Sequence, residues 1–194
     1  MAKTGSILFL LSVLCISGAA TSQLSSKETS FVKISCKSTT YPPLCLLSLL
    51  SYATQIRRNP RQMALVALSV SLSRAQSTES FMSKMKRFRN LKPREYKAVA
   101  DCWDLMDDSV ERISKSIREM KNIGQGKGRD ISFQISNVQT WVSAALTNHN
   151  TCLDGFADKA LNGKVKDSVN AQVVNAVKIT SNALALVNQF AKRY

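Results

Sequence analysis

The residues in this chain with the most chemistry open to them are its cysteines. The stretch "CKSTTYPPLC", residues 36 to 45, sets Cys36 and Cys45 on either side of Pro42 and Pro43, and Cys102 and Cys152 follow downstream. A zinc site needs closely spaced cysteines or paired histidines, and a nine-residue gap with a single histidine, His149, supplies neither. A redox pair of the CxxC type is absent as well. His149 and Cys152 stand three apart, a spacing that could turn an imidazole toward a thiol and make a nucleophile. An oxidised cysteine cannot serve that purpose, so the pair reads as structural. Asp107 and Asp108 are adjacent, and adjacent helical residues point in different directions, which reads as an exposed acidic face rather than an acid–base pair. Asp101 and Asp104, flanking Cys102, read as solvated helix charges. "NTC" at 150 to 152 resembles a minor glycan acceptor only, and no P-loop, Rossmann glycine pattern, GxSxG or HExxH occurs. The residues therefore predict no catalytic group, no cofactor and no metal site.

The state of the cysteines depends on compartment, and the first residues address it. "MAKTGSILFLLSVLCISGAATSQ" has Lys3, an apolar run from Ile7 to Ile16, and small residues from Ser17 to Ser22. That order is the pattern of a secretory signal peptide. The apolar run is far shorter than the roughly twenty residues that span a bilayer. Residues 1–22 are expected to be removed, with cleavage between Ala20 and Gln23, leaving no membrane segment in the mature chain. Cys15 leaves with them, and the four remaining cysteines travel an oxidising route that makes disulfides the default. Four cysteines allow three pairings. Nine residues of unbroken helix would hold Cys36 and Cys45 about 13 Å apart, but Pro42 and Pro43 break any such helix and let the chain double back. If those two join, Cys102 is left with Cys152.

Losing Lys3 from 27 basic residues leaves 26 against 13 acidic, a mature balance of +13. Such an excess suits acidic partners: nucleic acid, anionic lipid, a polyuronate, or a protein with a negative cleft. Secretion argues against nucleic acid, and the cations are spread out except for "KMKRFR" at 84 to 89. That run reads as a solvated helix end whose cations face the C-terminal dipole.

Helices must position all of these residues. From Pro93, apolar side chains fall at Tyr96, Val99, Trp103, Met106, Val110, Ile113, Ile117 and Met120, in steps of three and four. Pro93 suits a first helical position, and the helix should reach Asn122 before "GQGKGR" at 124 to 129 breaks it. Leu65, Leu68, Leu72, Ala75 and Met82 mark an earlier helix over 61–87. Ile131, Ile135, Val138, Val142 and Ala145 begin a third, running through Cys152 to Phe156. Val169, Val173, Ala176, Thr180, Ala183, Val187 and Phe190 mark the last. Trp103 and Trp141 lie on or beside these seams, so core packing is expected of both. No segment alternates in the strand manner. The fold class predicted is all-α: an up-down-up-down four-helix bundle over 61–193, with residues 27–56 as a stapled N-terminal helical hairpin, all within one domain over 23–194.

Four stretches carry a resemblance: "SCKSTTYPPLCLLSLLSYA", "ALSVSLSRAQS", "LKPREYKAVADCWDLMDDSVERISKS" and "SNVQTWVSAALTNHNTCLDGF". Together with "KITSNALALVNQF" they are similar to the plant invertase and pectin methylesterase inhibitor family, from about Lys27 to Phe190. The resemblance implies an extracellular four-helix bundle with Cys36–Cys45 and Cys102–Cys152 bridges. It also implies reversible, non-catalytic blockade of a cell-wall carbohydrate enzyme in a one-to-one complex. Because the family also occurs as a pro-region before an esterase domain, a chain ending at Tyr194 is expected to be free-standing. The invertase branch is known for a Pro-Lys-Phe stretch, whereas here Pro93 is followed by Arg94 and Glu95. The wording is closer to the pectin methylesterase inhibitors, where a threonine just before the fourth cysteine is tied to the enzyme contact. Thr151 occupies that place. The expectation is a secreted apoplastic inhibitor of pectin methylesterase. The alternatives are an inhibitor of cell-wall or vacuolar invertase and a basic wall protein that binds acidic pectin itself.

Overall fold

The structure, a computed structural model, describes residues 26–125 and 130–194; residues 1–22, read above as a signal peptide, lie outside them. Among the described residues the chain forms helices α1 (Ser26–Lys37), α2 (Pro42–Leu49), α3 (Ala53–Ile56), α4 (Pro60–Met85), α5 (Pro93–Asn122), α6 (Ile131–Gly155) and α7 (Lys164–Ala191). Single 3₁₀ turns lie at Leu50–Tyr52 and Lys159–Leu161, and no strand occurs among the described residues.

Local chemistry sets the ends of the long helices. Asn59 caps α4 by accepting from the backbone N–H groups of Arg61 and Gln62 at 2.9 and 3.2 Å, and Pro60 follows where its missing N–H costs nothing. Lys92 and Pro93 open α5, where the Glu95 carboxylate accepts from the Lys92 backbone N–H at 2.8 Å. Asp130 caps α6 through the Ser132 N–H at 2.8 Å. Gly124 takes φ 72° just beyond α5, a left-handed turn that suits a residue without Cβ.

Helices α4 to α7 form a ring in which each packs on two neighbours: α4 on α5 and α7, α6 on α5 and α7. Consecutive helices run antiparallel, so the apolar side chains gather in two clusters. One holds the start of α4, the end of α5, the start of α6 and the end of α7, with Leu68, Ile113, Met120, Val142 and Phe190. The other holds the opposite helix ends, with Met82, Val99, Met106, Phe156 and Val173. Between them lies a belt of buried polar side chains: Ser71, Thr78, Ser109, His149 and Thr180. Ser71 and Thr180 share a hydroxyl–hydroxyl bond of 2.8 Å between α4 and α7. Ser109 donates to its own-turn Leu105 carbonyl at 2.8 Å and lies 3.3 Å from the Ala145 carbonyl of α6.

The N-terminal segment folds back as a hairpin. Tyr41, restricted by the following proline, takes an extended φ of −128° and ends the turn after α1; Pro42 then starts α2. Cys36 and Cys45 are bonded across that turn with Cα atoms 5.6 Å apart. The hairpin docks on α4 and α7 through Val32, Leu49, Ala53 and Ile56. Asn182 of α7 fixes its tip in both directions, accepting from Tyr41 N–H at 2.9 Å and donating to Tyr41 C=O at 3.0 Å.

One sequence expectation is corrected here and one is met in part. Tyr96, at the head of the α5 seam, is 49% exposed because it sits in the first turn, beyond the reach of the neighbouring helices. Trp103 packs against the second apolar cluster with one side only: it is half-buried, donates Nε1–H to the Glu79 carboxylate at 2.6 Å and carries the Lys86 ammonium 3.9 Å above its ring.

Candidate functional site

Thr151 lies on the exposed side of the last turns of α6. Its hydroxyl donates to the Thr147 carbonyl one turn back at 3.0 Å, which leaves the methyl group and the oxygen's remaining acceptor capacity toward solvent. The next residue, Cys152, is buried and bonded to Cys102 of α5, with Cα atoms 4.7 Å apart. That bridge draws the end of α6 against the start of α5. A shallow groove of about 230 Å³ runs along the seam, with Arg94, Lys97 and Asp101 on one wall, Thr151 and Gly155 on the other, and Asp158 at its end. Lys97 and Asp101 are 3.8 Å apart and well exposed, so their pairing adds little to stability and both remain available to a partner. The groove is mixed in charge, open, and set on two long helices joined covalently. It can present fixed polar contacts to another surface, but it has no arrangement that would move a proton or make a bond.

Cys102 and Cys152 line this groove as a disulfide, while His149, Asp107 and Asp108 fall outside it. Cys152 is disulfide-bonded, so the His149–Cys152 spacing holds no thiol. His149 is wholly buried in the polar belt, with Nδ1 3.4 Å from the Thr180 hydroxyl and Nε2 without a partner. Asp107 and Asp108 diverge as the helix requires. Asp107 is exposed, while Asp108 accepts from Arg112 Nε at 2.6 Å and from Asn148 Nδ2 of α6 at 2.7 Å. Burial works to raise the Asp108 pKa, but the Arg112 and Asn148 hydrogen bonds and the charges of Arg112 and Lys115 together hold it below the usual carboxylate value. Asp108 ties α5 to α6 and is not poised for catalysis. Among the described residues no group of three or more His, Cys, Asp or Glu side chains could hold a metal, and no helix is long and apolar enough to cross a membrane.

Sequence reasoning missed the contacts that hold the scaffold, because their partners are far apart in the chain. Arg61 at the start of α4 caps the end of α5 through the carbonyls of Met120 and Lys121. Gln189 of α7 donates to the Ser35 carbonyl and the Ser38 hydroxyl of the hairpin at 3.1 and 2.9 Å. A threonine in an otherwise apolar seam, Thr180, was the visible hint of the polar belt.

Comparison with known proteins matches this arrangement. Residues 30–186 fit the family described as plant invertase/pectin methylesterase inhibitor. A "21 kDa protein" of Daucus carota is 52% identical over 164 residues, covering 84% of this chain and 85% of its own. Pectinesterase inhibitor 11 of Arabidopsis thaliana is 49% identical over 192 residues, covering 96% of this chain and 95% of its own. A crystal structure of a mutant pectin methylesterase inhibitor from Arabidopsis superposes with a TM-score of 0.64 at 21% identity, over 83% of this chain and 95% of its own, and supports the fold. On these matches the chain belongs to the plant invertase/pectin methylesterase inhibitor family.

Proposed function

We propose that this protein is a secreted inhibitor of pectin methylesterase, which lies across the enzyme's substrate groove in a reversible one-to-one complex and so limits pectin de-esterification in the plant cell wall. The observation that carries the reading is the near end-to-end likeness, 49% identical over 192 residues, to a protein named as a pectinesterase inhibitor. The geometry supports it. A rigid, cross-linked pair of helices presents a polar face around Thr151, and exclusion of substrate by a plug needs shape and fixed contacts only. An interface of ordinary size, about 1,600 Å² in total, would suffice. Residues 1–22 would direct secretion and be removed, and residues 23–194 would form the inhibitory domain in the apoplast.

Following methanol release from esterified pectin by a plant pectin methylesterase, with increasing amounts of the oxidised protein, tests the reading. Release should stop near one equivalent. Full release at excess protein, with an invertase inhibited instead, would move the assignment to the other branch, although Pro93-Arg94-Glu95 offers no Pro-Lys-Phe stretch for that role. Thr151→Arg keeps a good helix former at an exposed position and fills the groove. It should weaken inhibition about tenfold or more with an unchanged melting temperature; undiminished potency would take Thr151 out of the interface.

A further inference from the structure

The run "KMKRFRNLKPREYK", residues 84 to 97, holds seven cations and one carboxylate. Its first part ends a helix, as the sequence suggested: α4 stops at Met85, which is buried together with Met82. Residues 86–92 form a connection across the end of the bundle remote from the hairpin. Its first turn is tight, with Arg87 N–H bonded to Lys84 C=O at 3.1 Å and Phe88 N–H to Met85 C=O at 3.0 Å.

Among the described residues the run has one ion pair, the exposed Lys97–Asp101 contact at 3.8 Å, while the Glu95 carboxylate accepts from the Lys92 backbone N–H and the Glu79 carboxylate from Trp103, against seven cations. Lys84, Arg87, Arg89 and Lys92 face solvent, and Phe88 stands among them 61% exposed. Like charges held this close repel one another, and an aromatic ring left in water gains nothing for the fold. An anionic partner with an apolar face would relieve both costs.

We infer that this cationic end, Lys84 to Lys92 around Phe88, binds de-esterified pectin, a linear polyuronate. Its carboxylates would pair with the lysines and arginines while a sugar C–H face stacks on Phe88. The choice of a polyuronate over other polyanions rests on the proposed function. Hydrolysis of each methyl ester adds water, releases methanol and leaves one carboxylate on the chain, so the enzyme's own product is the polymer of matching charge. The inhibitor would then collect where de-esterification has already occurred. Arg94 and Lys97 also line the groove beside Thr151, so polymer and enzyme would be held at adjoining surfaces.

The test measures binding of the full-length secreted protein to polygalacturonate and to fully methyl-esterified pectin, across a salt series and with no enzyme present. Binding to polygalacturonate alone, falling steeply with salt, is expected. Lys84→Ser, Arg87→Ser and Arg89→Ser together should weaken it roughly a hundredfold, at about fivefold per cation removed. Phe88→Ser should weaken it further. A control triple that removes Lys33, Lys37 and Lys121, equal in charge but at the other end of the bundle, should cost far less. Equal weakening by the two triples would overturn the inference, since net charge alone would then account for the binding. Equal binding of esterified pectin would overturn it too, as would binding to anionic lipid vesicles or single-stranded DNA with none to polygalacturonate. Enzyme inhibition is assayed separately on the unsubstituted protein, and the first triple should retain it. Polymer binding without inhibition would leave this inference standing and remove the proposed function; inhibition without polymer binding would do the reverse.

Discussion

At the scale of single residues, His149 has the clearest consequence. It lies on α6 between Ala145 and Cys152, fully buried, in contact with Thr180 and with Nε2 unpartnered. Burial lowers its pKa from 6.5 to about 4. The unfolded chain therefore takes up a proton near pH 6.5 that the folded chain refuses until about pH 4. Its contribution is complete above pH 6.5 and is lost as the pH falls toward 4, a decline of about 3 kcal/mol. Asp108 acts in a lower window: its depressed pKa gives stability that is present above the usual carboxylate value of 3.8 and lost as the pH falls below it. Urea titrations at pH 7 and pH 4.5 should show the histidine's decline, and His149→Gln should flatten most of it; an unaltered slope in that variant would assign the effect to other groups. The sequence singled out His149 for its spacing to Cys152 and set a nucleophile aside on the expectation of an oxidised Cys152, which the Cys102–Cys152 bridge matches. Spacing along a helix says which side chains share a face. It cannot say that the face is sealed between two other helices.

At the scale of elements, the periodicity of apolar residues was a good guide because each bundle helix buries one stripe. The α7 seam from Val169 to Phe190 is buried at every position named from the sequence. Helix ends were legible where proline or a short polar side chain marks them, as at Asn59–Pro60 and at Pro93. The end of α4 came within two residues, at Met85 against the expected 87, because the run 84–89 reads as a solvated helix end while the burial of Met82 and Met85 fixes the last turn. Contacts between elements were hidden: nothing local in "NPRQM" points to a partner 59 residues away. Arg61 nevertheless caps α5, with Nε and Nη2 3.1 and 2.9 Å from the Met120 carbonyl and Nη2 2.7 Å from that of Lys121. The last carbonyls of a helix lack intrahelical partners and carry the negative end of its dipole. Arg61→Met should therefore cost about 1–3 kcal/mol by urea unfolding. Arg61→Lys should recover only part, because an ammonium cannot span both carbonyls as the guanidinium fork does. Full recovery by lysine would reduce the contact to simple charge.

At the scale of the whole molecule, the polar belt separates two ends built on different apolar clusters and held by different bridges. The hairpin, with Cys36–Cys45, Val32, Leu49 and Ile56, belongs to one apolar cluster. The Thr151 groove, with Cys102–Cys152 and Leu161, belongs to the other. Each bridge closes a loop, nine residues in sequence for the first and fifty for the second. Removing them by Cys36→Ala/Cys45→Ala or Cys102→Ala/Cys152→Ala should cost about 3 and about 4 kcal/mol, a similar loss for either pair. Their effects on inhibition should nonetheless differ. Without Cys102–Cys152 the end of α6 is free to move away from α5, and the surface around Thr151 loses its fixed shape. Without Cys36–Cys45 only the far end loosens. Inhibition of pectin methylesterase would be measured at a temperature where circular dichroism shows both variants folded. The hairpin variant should keep its inhibition constant within about twofold, and the groove variant should weaken by about tenfold or more. The opposite order would place the enzyme contact on the hairpin end of the bundle and leave Thr151 as an ordinary surface residue of α6.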